Sequence, residues 1–188
     1  MIDSGRRFFP MRTVRNLLDT MAATKLNVLH LHASDVCRWG VESKTFPNLT
    51  ASLTGVRAGV YSHEDVREMI SYAGARGIRV VPEFDVPAHS HCLIALEGEG
   101  IKFCTDLPTR LQLWGDPQNR TLGVLLPLLN EMASLFSDEV FHIGGDETLG
   151  VGPCTVQSTV SLERKLFDYV QNALGKTPAS WEEACFGT

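Results

Sequence analysis

The chain has 188 residues, 44% apolar and 21% charged, with a formal net charge of −5. That is ordinary globular composition, with length for one domain and a sizeable core. It excludes the clustered basic footprint of a nucleic-acid binder, and no apolar run, GVLLPLL included, is long enough to span a bilayer.

In chain order, Met1-Ile2-Asp3 reads as the tail of a strand. Val14, Leu17, Leu18, Met21 and Ala22 recur at helical spacing, and Leu26 to His32 reads as a buried strand. Ser62-His63-Glu64-Asp65 has the S-x-x-D form of a helix start. That helix runs through Val66, Met69, Ile70 and Ala73 towards a stop at Gly77, and Ile78 to Phe84 follows as a strand. Beyond a long polar loop, a third helix spans about Thr121 to Phe136, where Pro127 implies a kink or a later start. Val140 to Ile143 is a strand, Ser161 to Leu174 a fourth helix, and Pro178 to Trp181 a short strand. Trp39 and Trp114 fall in predicted loops.

Alternating strands and helices mean parallel strands joined by crossover helices. The three best strands each end in an ionisable cluster: His30 to Asp35, Glu83 to His91, and His142 to Glu147. Polar groups at the C-terminal ends of successive parallel strands are what a (β/α) barrel or a doubly wound sheet presents. A complete eight-stranded barrel takes about 250 residues. The expected fold class is therefore α/β, a partial (β/α)8 TIM barrel holding about the first five strand–helix units, with residues 1–188 as the N-terminal part of a catalytic barrel.

The strongest local signal is Gly144-Gly145-Asp146-Glu147 after an apolar strand. Two glycines let the backbone turn sharply and let a substrate approach it. Adjacent carboxylates are badly spaced for the usual glycosidase pair, whose members flank the bond about 5 Å or more apart. They suit instead one proton donor and one group gripping another part of the substrate, and their mutual repulsion should raise one pKa. The bland alternative is a loop with two solvated acids. His30 and His32, two apart in a strand, share a face. Read with His89, His91 and Asp146 they resemble a metal-dependent hydrolase, or else a hydrogen-bonded layer that binds no metal. Two prolines stiffen Pro82 to Pro87 and fix where Asp85 and His89 project, for ring orientation or simply to close the loop by an ion pair. Trp181, followed by Glu182 and Glu183, offers a flat ring to a sugar, or merely packs in the barrel wall.

Five cysteines, Cys37, Cys92, Cys104, Cys154 and Cys185, include no CxxC pair, which argues against structural zinc; if disulfides form, at least one thiol is left over. The N-terminus MIDSGRRFFP lacks the apolar core of a secretory signal, so either the protein is cytosolic or its natural N-terminus is missing. Two glycosylation sequons, at Asn48 and Asn119, matter only in a secreted chain.

Taken together, IDSGRRF, KLNVLHLHASD, FPNLT, YSHEDVREMISYAGARGIRVVPEFDVPAHS, VFHIGGDE and ASWEE resemble family 20 glycoside hydrolases, the β-N-acetylhexosaminidases, and extend from Ile2 to Glu183. The resemblance implies a (β/α)8 barrel that removes terminal N-acetylglucosamine or N-acetylgalactosamine from glycans with retention. It implies Glu147 as general acid/base and Asp146 as the residue holding the 2-acetamido group, which itself attacks the anomeric carbon. It further implies Asp35, Asp85 and His89 as supporting residues, Arg6, Trp181 and Glu182 as substrate-binding residues, no metal and no cofactor. A disulfide between Cys104 and Cys154 would follow, with a lysosomal or secreted location and a homodimer as one form of the longer protein. Two departures stand out: Ala88 replaces the usual glycine before the loop histidine, and Val36 the second aspartate after Asp35. The alternatives are an amidohydrolase-like metal barrel using His30, His32 and Asp146, and a non-catalytic glycan-binding or vestigial protein. Strands that complete the family pocket lie beyond this length of chain, so residues 1–188 alone are expected to be inactive.

Overall fold

A computed structural model describes residues 1–51, 53, 59–105, 111–150 and 152–187. Its strands are β1 (Ile2–Asp3), β2 (Val28–Asp35), β3 (Arg38–Trp39), β4 (Arg79–Phe84), β5 (Val140–His142) and β6 (Thr177–Ala179). The helices are α1 (Met11–Ala23), a short α2 (Asn48–Ala51), α3 (His63–Gly74), α4 (Arg120–Leu135) and α5 (Val156–Asp168). One sheet runs β1-β2-β4-β5-β6 with every step parallel, and β3 folds back antiparallel on β2. Sequential parallel order with a helix in each crossover is the wall of a barrel.

The helices form where the spacing predicts. Val14, Leu18 and Met21 of α1 and Val66, Met69 and Ala73 of α3 are the inward stripes. Ser62 caps α3 in a full capping box: its hydroxyl accepts from Asp65 N at 3.0 Å while its own N donates to Asp65 Oδ2 at 2.9 Å. The helix ends at Gly74, three residues before the expected stop, and Gly77 (φ +68°) carries the turn into β4. Pro127 does not delay α4, which starts at Arg120 and runs through it. Burial of Leu122, Leu125, Leu128, Leu129 and Met132 against the sheet outweighs the one lost hydrogen bond.

Three expectations are corrected. Strand β2 begins two residues later than predicted and continues to Asp35. Helix α5 starts at Val156 because Thr155 caps it, its hydroxyl accepting from Ser158 N at 3.1 Å, and it passes into a π-helical turn at Tyr169–Ala173. Trp39 is not in a loop but in β3, 1% exposed and stacked on Phe84 with ring centroids 4.7 Å apart. Phe84 also stacks on Phe141 at 5.8 Å, so an aromatic column fastens β3, β4 and β5.

The register sets the site. Asp3 pairs with His32, His32 with Glu83, Glu83 with His142 and His142 with Ala179. Residues directly paired in a sheet share a face, so Asp3, His32, Glu83 and His142 form one polar row across the strands. A register shift between His32 and Ser34 follows in β2, which brings Ser34 level with Phe84.

Candidate active site

Arg6, Asp35, Asp85, His89, Asp146 and Glu147, all carried at strand ends, meet above this row, whereas His91 opens a 3-10 helix, His91–Leu96. Arg6, after β1, holds Asp3 Oδ2 and Asp35 Oδ2 at 2.8 Å each. Asp35, fully buried, also receives His32 Nε2 at 3.1 Å and Val36 N at 2.5 Å, and lies 3.6 Å from His89 Nδ1. The far nitrogen of that ring, His89 Nε2, lies 3.2 Å from Glu147 Oε2 and 3.8 Å from Asp146 Oδ2. An unbroken line of opposite charges thus runs from Arg6 through Asp35 and His89 to the two adjacent acids.

A second line begins at the same histidine layer. His32 Nδ1 meets Glu83 Oε1 at 3.1 Å, and Trp181 Nε1 donates to the same oxygen at 2.9 Å. His30 Nε2 lies 2.5 Å from Glu83 Oε2, and His142 Nδ1 3.7 Å from Oε1. The Trp181 ring stacks on His30 at 5.7 Å and meets His142 edge-on at 5.0 Å. His30 and His32 do face one way, but onto Glu83 rather than towards Asp146. The three-residue set His30, His32 and Asp146 is therefore not assembled. Among the described residues, the close groups able to offer three metal-binding atoms are His30/Glu83/His142, His32/Glu83/Asp85 and Asp35/Asp85/His89.

Asp85 sits beneath the acids. Its backbone N donates to Ser34 Oγ at 2.9 Å, and its Oδ1 accepts from Gly145 N at 3.1 Å. Gly144 (φ +70°) and Gly145 (φ +92°) make the turn that permits this, and a Cβ on Gly144 would overlap the Asp85 carboxylate. The strain continues into the neighbouring residues: Glu147 and His89 both take the left-handed backbone, φ +53° each. Glu147 is 73% exposed and Asp146 28%, so both acids can reach a ligand. Glu182 lies in the exposed 3-10 turn after Trp181, the ring of which is half-buried.

The electrostatics follow from these contacts. Burial opposes ionisation of Asp35, but its hydrogen bonds to His32 and His89, the Val36 N–H and the Arg6 charge hold it well below the usual carboxylate range. Glu83 is likewise held low by His30 and His32 against the cost of burial. Burial alone would lower His32, yet Asp35 and Glu83 push it up to about 10. His89 is raised chiefly by its hydrogen bond to Asp35. Asp85 moves the other way from Asp35, raised by burial and then by the nearby Asp146 charge.

Around the site, Cys104 and Cys154 are joined in a disulfide that ties the loop after β4 to the loop after Glu147. Cys37 and Cys92 are free thiols. Gln112 adds a second tie: its Nε2 donates to Leu149 O at 3.0 Å and its Oε1 accepts from Leu149 N at 2.7 Å. Sequence reading assigned no role to Glu83, His142 or Gln112. A charge inside an apolar strand such as Val80-Val81-Pro82-Glu83-Phe84 must be paired, and that was the available signal for Glu83.

The fold is an α/β barrel wall with an ionisable cluster at its strand ends, and comparison with known proteins gives its family. Residues 1–184 match the model of the glycosyl hydrolase family 20 catalytic domain. Over 160 residues the chain is 37% identical to a β-hexosaminidase of Emericella nidulans, covering 78% of this chain and 26% of that one. It is 38% identical over 150 residues to β-hexosaminidase subunit beta of Mus musculus, covering 78% of this chain and 28% of that one. Among solved structures, a mutant Streptomyces plicatus β-hexosaminidase in complex with GlcNAc superposes with TM-score 0.84 at 26% identity, over 99% of this chain and 39% of that one. The β-N-acetylhexosaminidase of Bacteroides fragilis gives 0.82 at 28% identity, over 97% of this chain and 40% of that one. The chain belongs to glycoside hydrolase family 20, and its five parallel strands are the first part of that family's TIM barrel. It spans only 26% to 28% of the length of the first curated relatives it matches.

Proposed function

We propose that residues 1–188 are the N-terminal part of the catalytic barrel of a β-N-acetylhexosaminidase, which removes terminal N-acetylglucosamine or N-acetylgalactosamine from glycans by substrate-assisted, retaining hydrolysis. The observation that carries this reading is the position of Asp146 and Glu147. They are adjacent, both near one imidazole, and backed by the buried Asp35 on its far side. Two neighbouring acids cannot flank a glycosidic bond from opposite faces, whereas a substrate that brings its own nucleophile needs only one of them as acid.

The roles divide accordingly. Glu147, the more exposed, protonates the leaving oxygen as the C1–O bond breaks. Asp146 accepts a hydrogen bond from the acetamide N–H and aims the carbonyl oxygen at C1, where the new bond closes an oxazolinium ring. Glu147 then takes a proton from water as that water adds to C1 and the C1–O bond of the oxazolinium breaks, which restores both the acetamide and the acid. His89, kept cationic by Asp35, offsets the negative charge that both acids carry in different steps. Arg6, Trp181 and Glu182 face the sugar from the neighbouring strand ends.

The test is a fluorogenic N-acetylglucosaminide assay on the full-length protein. Glu147→Gln should lower kcat by about 10²–10⁴, the usual worth of a general acid. Asp146→Asn should lower it too, whatever the leaving group, whereas the loss in Glu147→Gln should shrink for substrates whose leaving group needs little activation. Undiminished turnover by Glu147→Gln would refute the assignment. A lysosomal or secreted location belongs to the same proposal, supported by a buried disulfide of the kind that persists in oxidising compartments. Mapping native peptides with and without reductant checks it.

A further inference from the structure

We infer that the cavity between the loop after Glu147 and helix α5 is a binding site for a hard divalent cation of the calcium class, with Glu163 as its buried ligand. The cavity has a volume of about 160 Å³ and is lined by Thr148, Leu149, Gly150, Thr159, Glu163 and Glu183, among others. At about 30 Å³ per water that is room for an ion with part of its hydration shell.

Glu163 is the feature that requires an occupant. It lies on the inward face of α5, one turn on from Thr159, and is 5% exposed. Its Oε1 has no hydrogen-bond partner, although buried carboxylates are normally paired. No lysine or arginine is among the described lining residues. Burial alone pushes this carboxyl up to about 7, so near neutrality a cation competes with a single proton rather than with a salt bridge.

The lining side chains able to ligate all offer oxygen: the Glu163 carboxylate, the exposed Glu183 carboxylate and the hydroxyls of Thr148 and Thr159, with Leu149, Val156 and Val160 forming the apolar wall. Calcium takes 6–8 such ligands with flexible geometry, whereas softer metals require nitrogen or sulfur. The walls are preformed. Gln112, 2% exposed, pins Leu149 through both its amide groups and reaches Thr159 Oγ1 at 3.3 Å, and the Cys104–Cys154 disulfide closes the same loop. Glu163 from α5 and Glu183 from the segment after β6 are the ionisable groups that line it; loop residues 148–150 contribute none. None of these residues belongs to the proposed reaction, so the site would act by stiffening the loop that carries Asp146 and Glu147.

Calorimetric titration of the full-length protein with CaCl₂, MgCl₂ and KCl, paired with thermal unfolding, tests this. At pH 7.5 calcium should bind one per chain and raise the unfolding midpoint by about 2–4 °C when its free concentration is about a hundred times its Kd. Binding should weaken at pH 5, where Glu163 holds its proton. Glu163→Gln, a neutral isostere that removes a carboxyl from a buried place, should fold and lose the response. Glu183→Gln, on the exposed rim, should weaken affinity about tenfold and gives a second reading if the first variant misbehaves. No calcium heat, a calcium shift that survives in Glu163→Gln, or a Glu163-dependent response to magnesium or potassium without one to calcium overturns the proposal.

Discussion

Single residues carry the site's logic, and Glu83 is the hub: a fully buried carboxylate in an apolar strand, surrounded by His30, His32, His142 and the Trp181 indole. Its charge and that of Asp35 keep His32 cationic, which ties the site's chemistry to fold stability through pH. His32, raised to about 10, contributes stability that is complete below about pH 6.5 and is lost as pH rises through its folded value. Asp35 and Glu83, both held low, contribute stability above about pH 4 that is lost on acidification. Asp85 is raised, so its cost grows as pH climbs above about 4. The expected result is maximal stability near about pH 4–5 with a decline towards pH 9, shallower in Asp85→Asn. Urea unfolding across that range checks it, and stability that climbs from pH 6 to pH 9 contradicts it. Gly144→Ala makes a companion test. The added Cβ would drive into Asp85 from a left-handed backbone, so a loss of about 1–3 kcal/mol is expected, with activity falling alongside.

Among the elements, the ties between loops decide how well the strand ends are held. The Cys104–Cys154 bond closes a 50-residue separation, for which chain-entropy arguments give about 4 kcal/mol. Cys104→Ser should therefore lower the unfolding free energy by several kcal/mol, measured against wild type with and without reductant. What the sequence made legible at this scale follows its strongest physical cues. Helix α3 was readable because Ser62 and Asp65 cap it locally, and β4 because its apolar run is short and bounded. The early start of α5 was missed because Val156 and Ser158 carry no apolar period; the cap at Thr155 was the better guide. Strand β3 was missed because two residues, Arg38 and Trp39, are too few for a pattern. The row from Asp3 to His142 depends on register between strands far apart in sequence, which no local pattern encodes.

Over the whole molecule, the sheet stops at β1 on one side and β6 on the other. A strand edge with unpaired backbone groups seeks a partner. Residues 1–188 expressed alone should thus associate, seen by light scattering, and should lack hexosaminidase turnover; a monodisperse, active 188-residue protein would overturn this. The alternation that predicted a partial barrel was legible at this scale because four crossovers repeat one pattern, whereas the meeting of Arg6 with Asp35, across 29 positions of chain, was not. The left-handed backbone at Glu147 has a consequence for descent. A non-glycine residue there costs about 1–2 kcal/mol that glycine would not. Glu147→Gly should consequently melt higher than wild type while losing turnover at least as far as Glu147→Gln. On the role proposed for Glu147, catalysis is what the strained glutamate serves, and glycine would be the more stable residue wherever the reaction is not needed. On the same proposal, the residue at 147 would tell a working copy of this chain from a retired one.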